Sequence, residues 1–313
     1  MYESALLTRQ SDRPLIGLAL GSGAARGWAH IGVIRALQAE GVEPDIVCGC
    51  SIGALVGAAH ASGRLDPLHD WVCSLEWHDV VSLLDLSFRG GLIRGERVLS
   101  YCAEHFFQPD FESLPMPFAC VATELSTGRE LWLQHGDLTS AVRASIALPG
   151  LFAPVSRRGR VLADGGLVNP VPVSVCKAMG ADIVIAVELG SGVIGAGRAR
   201  SLKSAAEAEA GLAKKLLSTL GLNSGSSAAP DAEAATVMPS LTEVLTSSIN
   251  IMQTRIARSR LAGEPADVLI SPRVAHLNMM DFHCAAEAVS AGEAAVAQAW
   301  PMLRQALELE ERE

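Results

Sequence analysis

No stretch of this 313-residue chain comes near the roughly 20 consecutive apolar residues that a membrane-crossing helix needs, and Met1 to Arg13 holds no long apolar region. The seven cysteines are odd in number and contain no C-x-x-C pair, which argues against a disulfide framework and favours a reducing compartment. Positive charge is short: 25 Lys and Arg face 34 Asp and Glu, and the net charge of −9 argues against nucleic acid as a partner. Most of the eight histidines are scattered without i, i+4 pairs or acidic companions, and no D-x-D-x-D-G calcium loop is present. No metal site and no cofactor is therefore expected. Internal repeats are also missing. These absences describe a cytoplasmic protein that meets lipid, if at all, peripherally at the inner face of the membrane.

Hydrophobic residues make up 49% of the chain, enough for one large α/β domain with a buried core rather than several modules. Apolar runs near 15–20, 45–49, 117–123, 160–163, 182–188 and 266–271 alternate with helical segments. That alternation predicts a largely parallel sheet covered by helices on both faces. Residues 65–113 read as a mostly helical cap. From 191 to 239 the composition turns to Gly, Ala, Ser and charged residues, which marks a flexible low-complexity insertion. Within it Leu202, Leu212, Leu216 and Leu220 line one side of a candidate helix, either a loosely packed surface helix or a lid. The expected organisation is a core over 14–190, the insertion over 191–239, and a helix-strand-helix over 240–309 that completes the same domain.

Three turns carry the chemistry. Gly49-Cys50-Ser51-Ile52-Gly53 places a serine between two glycines, after an apolar strand and before a helix of small residues. This is the pattern of a nucleophile elbow, in which the serine occupies strained backbone and a Cβ at either glycine would meet the neighbouring chain. The second turn, Gly21-Ser22-Gly23-Ala24-Ala25-Arg26-Gly27, also joins an apolar strand to a helix and frees backbone N–H groups in front of that helix. Such groups cradle a phosphate or an oxyanion. The G-x-G-x-x-x-G spacing is one residue off the dinucleotide fingerprint, and the next strand ends in Cys48 to Ser51 where an acidic ribose ligand belongs, so a nucleotide is disfavoured. The third turn follows Val161-Leu162-Ala163 and consists of Asp164-Gly165-Gly166, with Asn169-Pro170 beyond. Alone, such an aspartate is more often a turn-forming residue than a base, although its place at the end of a strand puts it on a ligand-binding sheet edge.

The three motifs in this order resemble the patatin-like phospholipase family. The segment Ala144-Ser145-Ile146-Ala147-Leu148-Pro149-Gly150 before the aspartate is similar to that family too, and the likeness spans about residues 14–190. Ala122 to Leu131 and Gly91-Leu92-Ile93-Arg94-Gly95 look more narrowly like its bacterial RssA-type branch, related to the catalytic domain of neuropathy target esterase. The resemblance implies a three-layer α/β domain and a serine esterase acting on a phospholipid, a lysophospholipid or another fatty-acyl ester. It implies a Ser51–Asp164 dyad, with Gly21, Ser22, Gly23, Ala24, Arg26 and Gly27 as anion loop, and Gly49, Gly53, Gly165 and Gly166 as the close-packed glycines. A carboxylate at its usual pKa of about 3.9 is a weak base toward a serine, so seclusion in an apolar pocket has to raise its basicity. Arg26 would brace the loop or meet the substrate's phosphate. Many members have an all-glycine anion loop, and Ser22 and Ala24 keep its amides usable provided neither is driven to positive φ. Two alternatives stand beside this reading: a non-catalytic adaptor that keeps the fold to bind a protein partner, and a Ser-Asp-His triad completed by His276 or His283.

Overall fold

The structure, a computed structural model, describes residues 13–83, 95–192 and 241–309. Apart from its first two residues the expected insertion lies outside the described residues, and so does Gly91 to Arg94 of the branch motif. The described chain forms an eight-stranded sheet. In chain order the strands are β1 (Ile16–Leu20), β2 (Ile46–Cys50), β3 (Phe118–Glu124), β4 (Arg129–Leu133), β5 (Val155–Arg157), β6 (Arg160–Asp164), β7 (Ile183–Val187) and β8 (Val268–Ile270). Their spatial order is β5-β6-β3-β2-β1-β7-β8, with β4 paired to β3.

The five strands from β3 to β8 along this order run parallel, while β4, β5 and β6 are antiparallel to their neighbours. The parallel strands are covered on both sides. Leu18 and Leu20 of β1 and Ile185 and Val187 of β7 face one layer, formed by α1 (Ala29–Ala39), α2 (Ile52–Ala61) and the C-terminal helix Ala285–Ala306. Ala19, Val184 and Ala186 point the other way, toward Val173 and Val175 of helix Val173–Ala178 and Ala257 of helix Leu241–Gly263. The period-2 alternation of side chains thus serves two cores from strands that are apolar throughout. Helices α3 (Leu65–Ser74), α4 (Trp77–Leu83) and α5 (Glu96–His105) form the expected cap; α6 is Leu138–Ser145, α7 Val173–Ala178, α8 Leu241–Gly263 and α9 Ala285–Ala306.

Strand β3 brings two of the three turns together, and the third follows β1, which pairs with β2 on its other side. The pairing of β3 with β4 covers Cys120 to Glu124, so β2, which pairs with Phe118 to Val121, and β6, which pairs with Ala122 to Glu124, must share the opposite edge. On that edge they meet head to head: Cys50 lies opposite Val121 and Asp164 opposite the next residue, Ala122. The residues that follow β2 and end β6 are therefore neighbours in space although they are far apart in sequence. Neither β4 nor the short β5 figured among the expected strands, because their half-exposed residues form no apolar run.

Candidate active site

Ser51 follows β2 at φ 57°, ψ −124° and caps α2. This region is strained for a residue with a Cβ, at a cost of about 1–3 kcal/mol, so the surroundings must hold it. They do so at three points. The Ser51 amide donates to Ser145 Oγ at 3.0 Å, and Ser145 Oγ in turn donates to the Val121 carbonyl at 2.6 Å. A Cβ on Gly49 would run into the backbone of Gly53 and Ala54, and one on Gly53 into the Leu20 carbonyl, so the elbow packs directly on β1.

Asp164 is completely buried at the end of β6. Ser51 Oγ donates to its Oδ2 at 2.6 Å and the Gly166 amide donates to its Oδ1 at 2.7 Å. The aspartate's own backbone is tied down as well, its amide donating to the Ala147 carbonyl at 2.9 Å and its carbonyl accepting from Thr123 Oγ1 at 2.8 Å. Burial raises its pKa to about 6, against the opposing pull of the two hydrogen bonds from Ser51 and Gly166. Side chains have no room beside it: a Cβ on Gly165 would strike the Val121 carbonyl, and one on Gly166 the Gln253 amide group.

The anion loop is anchored at both ends. The Gly21 amide donates to the Val187 carbonyl, Ser22 to that of Pro170 and Ala25 to that of Met279. Between them the amides of Gly23 and Ala24 donate to no acceptor among the described residues. His30, fully buried, faces the Gly21 carbonyl with Nε2 at 2.8 Å, and because a carbonyl only accepts, Nε2 carries the proton. Burial pushes the His30 pKa down to about 4, so the ring is neutral and acts as a clamp. Arg26 is 3% exposed and braces the loop itself: its Nε donates to the Gly23 carbonyl at 3.1 Å and its Nη2 to Asn250 Oδ1 at 2.9 Å. Gly27 lies against Ile52, where a Cβ would collide with that side chain. One condition set by the sequence fails. Ala24 sits at φ 51°, in the left-handed region, which costs an alanine about 1–2 kcal/mol of backbone strain but leaves its N–H in place, whereas Ser22 avoids positive φ.

Ser51 and Ala24 open on an apolar pocket with a cavity volume of about 90 Å³. Its walls are Trp28, Leu55, Ile146, Phe152 and Phe282 from the core side, and Trp71, Leu75, Val80 and Val98 from the cap helices. Ser51 is the one hydroxyl, amide or charged side chain in the lining among the described residues. Neither histidine considered for a triad reaches the pair: His276 is exposed and bonds Glu287 at 2.7 Å, and His283 stacks edge-on against Trp77. The arrangement offers a serine hydroxyl already bonded to a buried carboxylate of raised basicity, two unused amides on a neighbouring loop, and an apolar chamber.

The family model described as patatin-like phospholipase matches residues 18–177, just over half of the chain. The chain belongs to this family. An uncharacterized NTE family protein of Mycobacterium tuberculosis is 37% identical over 95% of this chain and 94% of its own length. The lysophospholipase nte1 of Aspergillus fumigatus is 32% identical over 59% of this chain, which corresponds to only 12% of that much longer protein. Among solved structures, VipD from Legionella pneumophila superimposes with a TM-score of 0.51 at 15% identity, covering 95% of this chain and 67% of VipD, a likeness of fold alone. The matched span runs from β1 to α7 and so includes all three turns.

Ser145, His30 and Asn250 were not singled out from the sequence. Ser145 lies in the segment that resembles the family, but its hydroxyl looked like any other. His30 carried no acidic neighbour to mark it, and nothing around Asn250 signals a contact with a loop more than 200 residues earlier.

Proposed function

We propose that this protein is a serine acyl hydrolase that cleaves fatty-acyl esters of the phospholipid or lysophospholipid class. The observation that carries the reading is the 2.6 Å hydrogen bond from Ser51 Oγ, at the wall of an apolar pocket, to a fully buried Asp164 behind it. In the reaction Ser51 Oγ attacks the ester carbonyl carbon while its proton passes to Asp164 Oδ2. A pKa of about 6 leaves the carboxylate ionised at neutral pH and a far better base than an exposed one. The negative charge that develops on the carbonyl oxygen meets the amides of Gly23 and Ala24, which no protein acceptor competes for among the described residues. Collapse of the tetrahedral intermediate breaks the bond to the leaving alcohol, which takes the proton from Asp164. Water then attacks the acyl-Ser51 ester and gives a proton to Asp164; collapse of this second intermediate breaks the bond between the acyl carbon and Ser51 Oγ, Asp164 returns the proton to that oxygen, and the fatty acid leaves. The aliphatic chain lies in the pocket between the core and the cap helices, where each buried methylene contributes about 0.8 kcal/mol.

Arg26 acts on the loop rather than on the substrate in this scheme, since its Nε and Nη2 are engaged with Gly23 and Asn250. No helix among the described residues is long and apolar enough to cross a membrane, so lipid is met at a surface. The test is hydrolysis of a panel of phospholipids, lysophospholipids and short soluble esters, with labelling by a fluorophosphonate. Wild type should turn over at least one acyl ester and be labelled at Ser51, and Ser51→Ala should lose both. A folded wild type that neither labels nor hydrolyses any of them would instead favour the adaptor.

A further inference from the structure

Helix α8 begins more than 70 residues after Asp164 and none of its described side chains lines the apolar pocket, yet its inner face supports two of the three turns, the anion loop and the one after Asp164. Asn250 and Gln253 are three residues apart and share that face. Asn250 Oδ1 accepts from Arg26 Nη2 at 2.9 Å, and Arg26 Nε holds the Gly23 carbonyl at 3.1 Å. The Nδ2 group of Asn250 lies 3.4 Å from Met279 Sδ, and the Met279 carbonyl is the acceptor for the Ala25 amide at 3.2 Å. Asn250 therefore touches both supports of the loop, one on either side of Ala24. Gln253 fills the space beside Gly166, and its Oε1 lies 3.4 Å from Ser22 Oγ.

We infer that Asn250 is a positioning residue for the oxyanion-binding amides and acts through Arg26. Three features of the structure make this support necessary. Ala24 is held at φ 51°, against its own preference by about 1–2 kcal/mol, so the loop would relax if released. The carbonyl of Gly23 belongs to the same peptide unit as the Ala24 N–H, so Arg26, by fixing that oxygen, fixes the direction of that donor. Arg26 is 3% exposed, so water does not substitute freely for a lost partner. An amide donor aimed at the developing oxyanion acts only in the transition state, so its misalignment lowers kcat while leaving substrate affinity nearly intact. This inference rests on the acyl-hydrolase reading for its kinetic expression but not for its structural one.

The experiment compares wild type, Asn250→Ala and Asn250→Asp by kinetics on a short soluble ester and by amide hydrogen exchange across Gly21 to Trp28. Asn250→Ala should lose tenfold or more in kcat with KM within twofold, and the loop amides should exchange at least tenfold faster. Asn250→Asp, which keeps an acceptor for Arg26, should restore most of both, while all three proteins melt within a few degrees of each other. Unchanged exchange in Asn250→Ala, a loss confined to KM, or an Asn250→Asp variant as poor as the alanine would each overturn the assignment. If wild type hydrolyses no ester, the acyl-hydrolase reading fails and the exchange measurement alone decides the positioning role.

Discussion

Replacing Asp164 by asparagine should stabilise the fold at neutral and alkaline pH while abolishing hydrolysis. The carboxyl is completely buried, and burial raises its pKa from 3.8 to about 6. In the unfolded chain the group returns to its ordinary value, so between these limits the folded protein binds the extra proton and the stability contributed by the carboxyl is fully present only below about pH 4. It falls as pH rises through 6. At 1.36 kcal/mol per unit, a shift of about two units is worth about 3 kcal/mol at pH 8. Asparagine fills the same volume, accepts from the Gly166 amide through its oxygen and donates to Ser51 Oγ through its nitrogen, so it carries a small pH-independent offset but no buried charge. The difference in melting temperature, variant minus wild type, should grow between pH 4.5 and pH 8 by about 5 °C, for a chain of this size. Differential scanning fluorimetry or circular dichroism of both proteins across that range measures it. A constant difference, or one that grows toward low pH, would refute the raised pKa and with it the account of how Asp164 becomes a base. The same carboxyl should appear in the kinetics, as a fall in kcat/KM below about pH 6 that asparagine cannot show.

Ala24→Gly should raise stability by about 1 kcal/mol or less, the relief of the φ 51° strain outweighing the added freedom of the unfolded chain, without loss of kcat because the amide remains. A lower unfolding midpoint in urea would contradict the strain. Combining Ser51→Ala with Asp164→Asn should be scarcely worse than either substitution alone, since hydroxyl and carboxylate act as a unit; additive losses in residual turnover would count against a dyad. His276→Ala and His283→Ala should each keep most of the wild-type kcat/KM, and a loss of several orders of magnitude in a folded variant would point to a triad. Hydrolysis should be indifferent to EDTA because the serine and backbone amides supply both nucleophile and oxyanion stabilisation; inhibition reversed by added calcium would reject that scheme.

Much of this protein is written in short stretches of its sequence, for a local reason. A parallel strand buried on both faces is an unbroken apolar run, and each strand-to-helix turn that must approach another backbone closely needs glycine, so β1, β2, β7 and the turns at Gly21, Gly49 and Asp164 are visible one by one. Their order is enough to resemble a family, and through it a three-layer fold. What the residues alone left open was whether Asp164 is a turn residue or a partner of Ser51. That depended on β4 occupying one edge of β3, which forces β2 and β6 onto the other, where they end against each other. β4 escaped notice because a half-exposed strand of mixed residues leaves no apolar run to read. The left-handed conformation of Ala24 was equally hidden, since it arises from anchors at Pro170, Val187 and Met279, all distant in sequence. Burial, and with it the raised basicity of Asp164 and the neutral state of His30, belongs to the packed molecule: a side chain's pKa is set by what surrounds it, and the surroundings exist only once the chain has folded.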